Sequence, residues 1–207
     1  MTMALHNIDH PLARTLISQL RDKDTTSEAF RAASYRITQL LVIEATRTLP
    51  TTRYRLLTPL EETEGHRIDL PITLVPIIRA GISMVEPTLG ILPHATVGYI
   101  GLERDEETAI ARSYYQKLPN QKGQKTFIID PMLATGGSTL QTIDLCKEND
   151  ATDITVISVI SAPEGVSSVL DKHPDVNIFT AALDRELNVQ KFILPGLGDF
   201  GDRLYNT

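Results

Sequence analysis

The stretch FIIDPMLATGGSTLQTIDLC, residues 127–146, decides how this chain is read. Phe127, Ile128 and Ile129 read as a buried strand, and the strand ends on a charge, Asp130. A turn with Gly136 and Gly137 follows, and then a helix over GGSTLQTIDLCKEN. Strand, turn and helix in that order are the unit of an α/β fold, and ligands of such folds sit at the carboxyl ends of the strands. A carboxylate there repels phosphate, but it accepts hydrogen bonds from two vicinal hydroxyls or holds a metal ion. The turn does the opposite: glycines let the backbone approach a ligand. The N–H groups of Thr135 to Thr139 open a helix, which makes a phosphate site, with Ser138 and Thr139 as hydroxyl donors. A diol acceptor beside a monophosphate cradle suits a ribose 5-phosphate. The turn lacks the lysine and spacing of a nucleoside-triphosphate loop.

The same pattern extends outward. ITLVPII, ATVGYIGL, DITVISVIS and VNIFTAAL read as strands, and RAGISMVEPTLGIL and PEGVSSVLDKH as helices. Continuous apolar strands alternating with helices predict a mostly parallel sheet covered on both faces. PLARTLISQLRD and TSEAFRAASYRITQLLVIEATRTL predict an N-terminal helical segment; Phe30, Ile37, Leu40, Leu41 and Ala45 recur at helical spacing, and Thr26 or Ser27 is placed to cap it. RYRLLTPL reads as a strand with mixed faces. The polar stretch from Glu103 to about Pro119 reads either as a solvated loop or as an arm beside a site.

Composition sets limits. At 207 residues with 42% hydrophobic and 22% charged residues, the chain is long enough for one domain with a full core. A net charge of −6 argues against a nucleic-acid or membrane partner. The one cysteine, Cys146, falls in a helix as a small core residue and leaves no intrachain disulfide. The start shows no secretory signal, and the longest apolar run is too short to span a bilayer, so a cytoplasmic protein is expected. The five histidines are scattered, without metal-ligand spacing.

Residues 130–138, Asp-Pro-Met-Leu-Ala-Thr-Gly-Gly-Ser, closely resemble the phosphoribosyl pyrophosphate loop of uracil phosphoribosyltransferases. VPIIRAGISMVEP, GLERDEETAIARSYYQKLP and FILPGLGDFGDRLYNT resemble that family's pyrophosphate loop, arm and C-terminal base-binding segment. The resemblance covers almost the whole chain. It implies a single type I phosphoribosyltransferase-like domain over 1–207, with an arm at about 103–119 and a C-terminal hood at about 184–207. It implies donor contacts from Arg79, Ala80, Gly81, Arg104, Asp130, Pro131, Met132, Leu133, Ala134, Thr135, Gly136, Gly137, Ser138 and Asp199. Ile193, Gly198, Asp199 and Phe200 would hold uracil, with Asp130, Asp199 and Arg104 serving catalysis. The main chain of a glycine-rich segment matches the donors and acceptors of a pyrimidine edge.

The implied reaction transfers the 5-phosphoribosyl group to N1 of uracil, giving UMP and pyrophosphate. Arginines suit the diphosphate leaving group, on which charge grows. Mg²⁺ is expected on substrate oxygens and water, with no protein ligand set. The resemblance also implies a non-proline cis peptide in the pyrophosphate loop, GTP binding and a homodimer or larger homo-oligomer.

Three positions depart from the family pattern. Phe200 stands where alanine is usual, Glu103 where tyrosine precedes the arm arginine, and Ile43 where tyrosine precedes Glu44. The Phe200 ring either points away from the base or closes the pocket on it. Rival readings are an RNA-binding regulator, a phosphosugar sensor and an enzyme for another base.

Overall fold

The computed structural model describes residues 4–104 and 111–207, with side chains for 4–102 and 114–207. A short strand, β1 (Leu5–Asn7), comes first, where sequence patterning gave no strand signal. Helix α1 (Pro11–Arg21) opens on a proline, with the His10 ring accepting the Leu12 N–H at 3.1 Å. Helix α2 (Ser27–Ala45) is capped by the Thr26 hydroxyl, which accepts the Ala29 N–H at 3.3 Å. RYRLLTPL proves to be half of a hairpin: β2 (Thr52–Leu57) pairs antiparallel with β3 (Glu62–Arg67). The β3 sequence ETEGHR has no apolar alternation and was invisible in the pattern.

The α/β units follow. Strand β4 (Ile72–Ile78) leads into a 3₁₀ turn at Ala80–Met84 and helix α3 (Val85–Leu89), so the single expected helix is two short pieces. Strand β5 (Thr96–Val97) is separated at Gly98 from β6 (Tyr99–Arg104). The arm is a strand pair: β7 (Ala111–Lys117) runs antiparallel to β6. Its centre, 105–110, and the side chains of Glu103 and Arg104 lie outside the described residues. Then come β8 (Lys125–Ile129), β9 (Met132–Leu133), α4 (Gly137–Glu148), β10 (Asp153–Ser158), β11 (Ile160–Ser161) and α5 (Pro163–Lys172). Strand β12 (Asn177–Thr180), the hairpin strands β13 (Glu186–Leu187) and β14 (Ile193–Leu194), and α6 (Phe200–Tyr205) complete the chain.

The main sheet has the order β1-β12-β10-β8-β4-β6-β7, with β5 beside β4. Every pairing in it is parallel except β6 with β7. Strand alternation sends side chains to two cores. Leu74, Phe127, Ile129 and Ile157 face α1, α2 and α6. Val75, Ile128, Val156 and Ile178 face α4 and α5. The expected α/β sheet with helices on both faces is what the chain forms. Cys146 is fully buried in the second core, and burial pushes its thiol up to about 12.

Phe200 settles the first departure. It is 1% exposed and packs edge-on against Phe30 at 5.0 Å between ring centroids. The Arg203 guanidinium lies over the other aromatic partner, 4.5 Å from the Phe30 centroid. The ring belongs to the first core, so only the backbone of Phe200 can meet a ligand.

Candidate functional site

Sheet order places the site. The chain runs outward from β4 to β6 on one side, then returns to β8, β10 and β12 on the other. The crevice between β4 and β8 is therefore the topological switch point. Arg79 follows β4, Asp130 follows β8, and Arg104 ends β6, so three candidate residues leave adjacent parallel strands at their carboxyl ends.

On the β4 side the Ile78–Arg79 peptide is cis, as the resemblance implied. Arg79 is exposed, with no ion-pair partner among the described residues. Gly81 is forced by contact: a Cβ there would stand 2.5 Å from the Ile129 carbonyl oxygen. This absence of a side chain lets the 79–81 loop press against the end of β8.

Asp130 sits at the floor of the crevice. Its N–H donates to the Ile157 carbonyl at 3.2 Å. Burial pushes its carboxyl up to about 7, against a backbone hydrogen bond from Met132 that pulls it down. The Met132 hydrogen bond that favours its charge does not offset burial, so the ionised form would gain from further donors.

The turn into α4 depends on one left-handed glycine, Gly136, at φ +85. Gly137 is the first residue of α4, and its nearest neighbour to an added Cβ is 3.8 Å away. Its backbone is helical, so of the two glycines only Gly136 is required by conformation. The first-turn N–H groups of α4 have no carbonyl acceptor within the helix, and the Gly137 N–H reaches the Thr135 hydroxyl at 3.5 Å. From behind, α5 supports the turn. A Cβ on Gly165 would stand 2.4 Å from the Ala134 carbonyl oxygen, so Gly165 sets how deep the turn sits.

The C-terminal segment is fastened to this frame. The Leu187 N–H donates to the Glu164 carboxylate at 2.8 Å, which holds the β13–β14 hairpin on the first turn of α5. Ile193 is buried, and Gly198 is exposed at φ +82. Asp199 is exposed, and its carboxylate caps α6 by accepting the Asp202 N–H at 2.9 Å. That geometry makes Asp199 an organiser of the loop at the start of α6. Gly165 was not singled out in the sequence, because it acts by lacking a Cβ against the Ala134 carbonyl.

Two cavities lie elsewhere. One of about 670 Å³ is lined by His6, Glu44, Arg47, Lys125, Asp153 and Asn177, at the amino ends of β8, β10 and β12. The other, about 560 Å³, lies between the base of the β2–β3 hairpin and Ile91–Ala95. Neither is lined by a glycine turn, so the open crevice at the strand carboxyl ends is the better candidate.

A family model for uracil phosphoribosyltransferase matches residues 7–207. The chain belongs to the uracil phosphoribosyltransferase family. It is 49% identical over 205 residues to the uracil phosphoribosyltransferase of Fervidobacterium nodosum, covering 98% of this chain and 99% of that one. To the enzyme of the same name from Corynebacterium diphtheriae it is 45% identical, covering 98% and 97%. The structure of the AQ2163 protein from Aquifex aeolicus superimposes with a TM-score of 0.92 at 35% identity, covering 97% of both chains. An adenine phosphoribosyltransferase from Leishmania donovani shares the fold, with a TM-score of 0.59 at 16% identity over 90% of this chain and 86% of its own. Among the described residues, no helix is long and apolar enough to cross a membrane.

Proposed function

We propose that this uracil phosphoribosyltransferase-family protein transfers the 5-phosphoribosyl group of phosphoribosyl pyrophosphate to N1 of uracil. The observation that carries the reading is the adjacency of Asp130, the Gly136 turn and the Arg79–Gly81 loop at one switch point, in a chain of this family. The bond from the ribosyl carbon to pyrophosphate breaks and the bond to N1 forms, with loss of the N1 proton. Positive charge develops on the ribosyl carbon and negative charge on the departing pyrophosphate, so catalysis is positioning and electrostatics. Asp130 orients the ribose hydroxyls. The first turn of α4 takes the 5-phosphate, and Arg79 and Arg104 take the pyrophosphate. Main chain at Ile193, Gly198 and Phe200 reads the base, and the Phe200 ring, being in the core, leaves room for it.

Mg²⁺ is the cofactor of this reading. The donors facing the phosphates are N–H groups and arginines, which cannot ligate a cation. Among the described residues no group of three or more His, Cys, Asp or Glu side chains converges. This donor set suits a hard cation held by pyrophosphate oxygens and water, where it would neutralise the leaving group. A cytoplasmic location follows from a donor too highly charged to cross membranes. The β2–β3 hairpin, exposed along both strands and tipped by Leu57 and Leu60, supports a homo-oligomer. A lone two-stranded hairpin is marginal in water, which favours a second copy packed against this one.

Incubating the pure protein with phosphoribosyl pyrophosphate, Mg²⁺ and a panel of bases tests the reading. Pyrophosphate release with uracil is expected. Release with another base alone moves the substrate and leaves the mechanism, and no release with any base defeats the proposal.

A further inference from the structure

We propose that Arg21 and Asp184 form a positioning pair that registers the base-binding loop against the phosphoribosyl loop. The proposal rests on the uracil reading above and adds two residues to it. Asp184 is almost wholly buried, with 4% of its side chain exposed, and Arg21 ends α1 with 25% exposed. The Arg21 Nη1 group donates to Asp184 Oδ2 at 2.8 Å, and Nη2 donates to Oδ1. Both also reach Gly196. Its N–H donates to Asp184 Oδ2 at 2.8 Å, and its carbonyl accepts from Arg21 Nη1 at 2.8 Å. One side-chain pair thus holds both main-chain groups of one residue. That residue lies between Ile193 and Gly198, the two positions taken to read the base.

Gly196 cannot hold this conformation through a side chain of its own. Its φ is +65, and a Cβ would stand 2.1 Å from the Ile193 carbonyl oxygen. The loop takes its position from outside.

Asp184 is itself fixed to the sheet end. Its N–H donates to the Ser161 carbonyl at 2.8 Å. Ile160–Ser161 pairs in turn with Met132–Leu133, and the Ile160 N–H donates to the Pro131 carbonyl at 3.0 Å. A short run of hydrogen bonds therefore joins the loop under the ribose to the loop around the base. Within that run the Asp184 carboxylate is the side chain that meets the Gly196 N–H. A buried ion pair adds little net stability unless every lone pair and proton is satisfied. Here both carboxylate oxygens and both terminal guanidinium nitrogens are engaged, in the bidentate geometry that fixes direction as well as energy. Such a pair suits alignment: a small displacement of reacting groups costs a large share of rate.

The experiment measures KM for uracil and for the donor separately, together with amide exchange at Gly196 and the melting temperature. Arg21→Ala and Asp184→Ala are expected to raise the KM for uracil by about tenfold or more, with the donor KM within about twofold. Exchange at the Gly196 N–H is expected to speed up in both. Asp184→Asn keeps an acceptor for that N–H and should be milder than Asp184→Ala. Arg21→Lys keeps a cation beside the buried carboxylate, so it folds where alanine fails, yet it loses the fork to Gly196 and should still raise the uracil KM.

An unchanged uracil KM in Arg21→Lys with unchanged Gly196 exchange overturns the proposal. So do both KM values rising together in step with a fall in melting temperature, which a purely structural role predicts. If the wild-type chain uses no uracil, the substrate reading has failed, and Gly196 exchange alone decides the clamp.

Discussion

Replacing Asp130 with asparagine should stabilise the ligand-free protein at alkaline pH while removing its activity. Burial holds the Asp130 carboxyl at about 7 in the folded chain, against about 3.9 when unfolded. Between those values the folded chain binds more protons than the unfolded one. Stability therefore falls as pH rises through this window and levels off above about 7. Three pH units correspond to about 4 kcal/mol. About 2.6 kcal/mol of this falls between pH 5 and pH 8, and the partial access of Asp130 to solvent at the crevice reduces it to about 2 kcal/mol. Asparagine keeps the shape and the acceptor for Met132 and has no charge to bury. Urea unfolding of both proteins at pH 5 and pH 8 measures the difference, in which every other titrating group cancels. The wild type should lose about 2 kcal/mol more than the variant. Parallel losses would refute the claim that burial of this carboxylate is uncompensated. The same physics makes ligand binding pH-dependent. Ribose hydroxyls donate to the ionised form, so donor affinity should rise by up to about tenfold from pH 6 to pH 8 through this group, and that component should vanish in Asp130→Asn.

Three other outcomes follow from packing. Phe200→Ala removes a ring from between Phe30 and the first core, so it should cost about 3–5 kcal/mol in chemical denaturation and give no gain in kcat/KM for uracil; a gain would mean that the ring intrudes on the base. Gly165→Ala would gain up to about 1 kcal/mol on helix propensity alone, but its Cβ meets the Ala134 carbonyl at 2.4 Å, so the donor KM should rise by about tenfold; a stabilised variant with an unchanged KM contradicts the close approach. Cys146, with its thiol pushed up to about 12, should react with a disulfide reagent at pH 8 about a thousandfold more slowly in the folded protein than in urea.

What sequence reasoning could reach was set by period and by chemistry. Continuous apolar strands such as ITLVPII and TFII are readable because a strand buried on both faces has nothing polar to hide. Asp130 was readable because a charge at the end of such a strand has a cost that only a ligand offsets. The β2–β3 hairpin was only half readable, since a strand exposed on both faces keeps no period. Strand β1 was missed because its three residues, Leu-His-Asn, take their strand character from pairing with β12. Neither loss touched the crevice.

The site residues that escaped have a common physical character. Gly165 acts by lacking a Cβ, and Arg21 with Asp184 acts by holding the N–H and carbonyl of Gly196. Their partners are backbone groups far off in sequence: Arg21 and Gly196 are 175 residues apart. A motif records residues that touch a ligand at fixed spacing, whereas a residue that positions main chain needs only one acceptor or one gap, wherever the fold supplies it. Phe200 illustrates the converse. Its place in the chain marks it as a base contact, and its ring is a core anchor that holds the start of α6, and so the backbone at 198–200, against α2. On the proposed reading, a large ring at this position changes how firmly the backbone at 198–200 is held and leaves the edge it would present to a base unchanged.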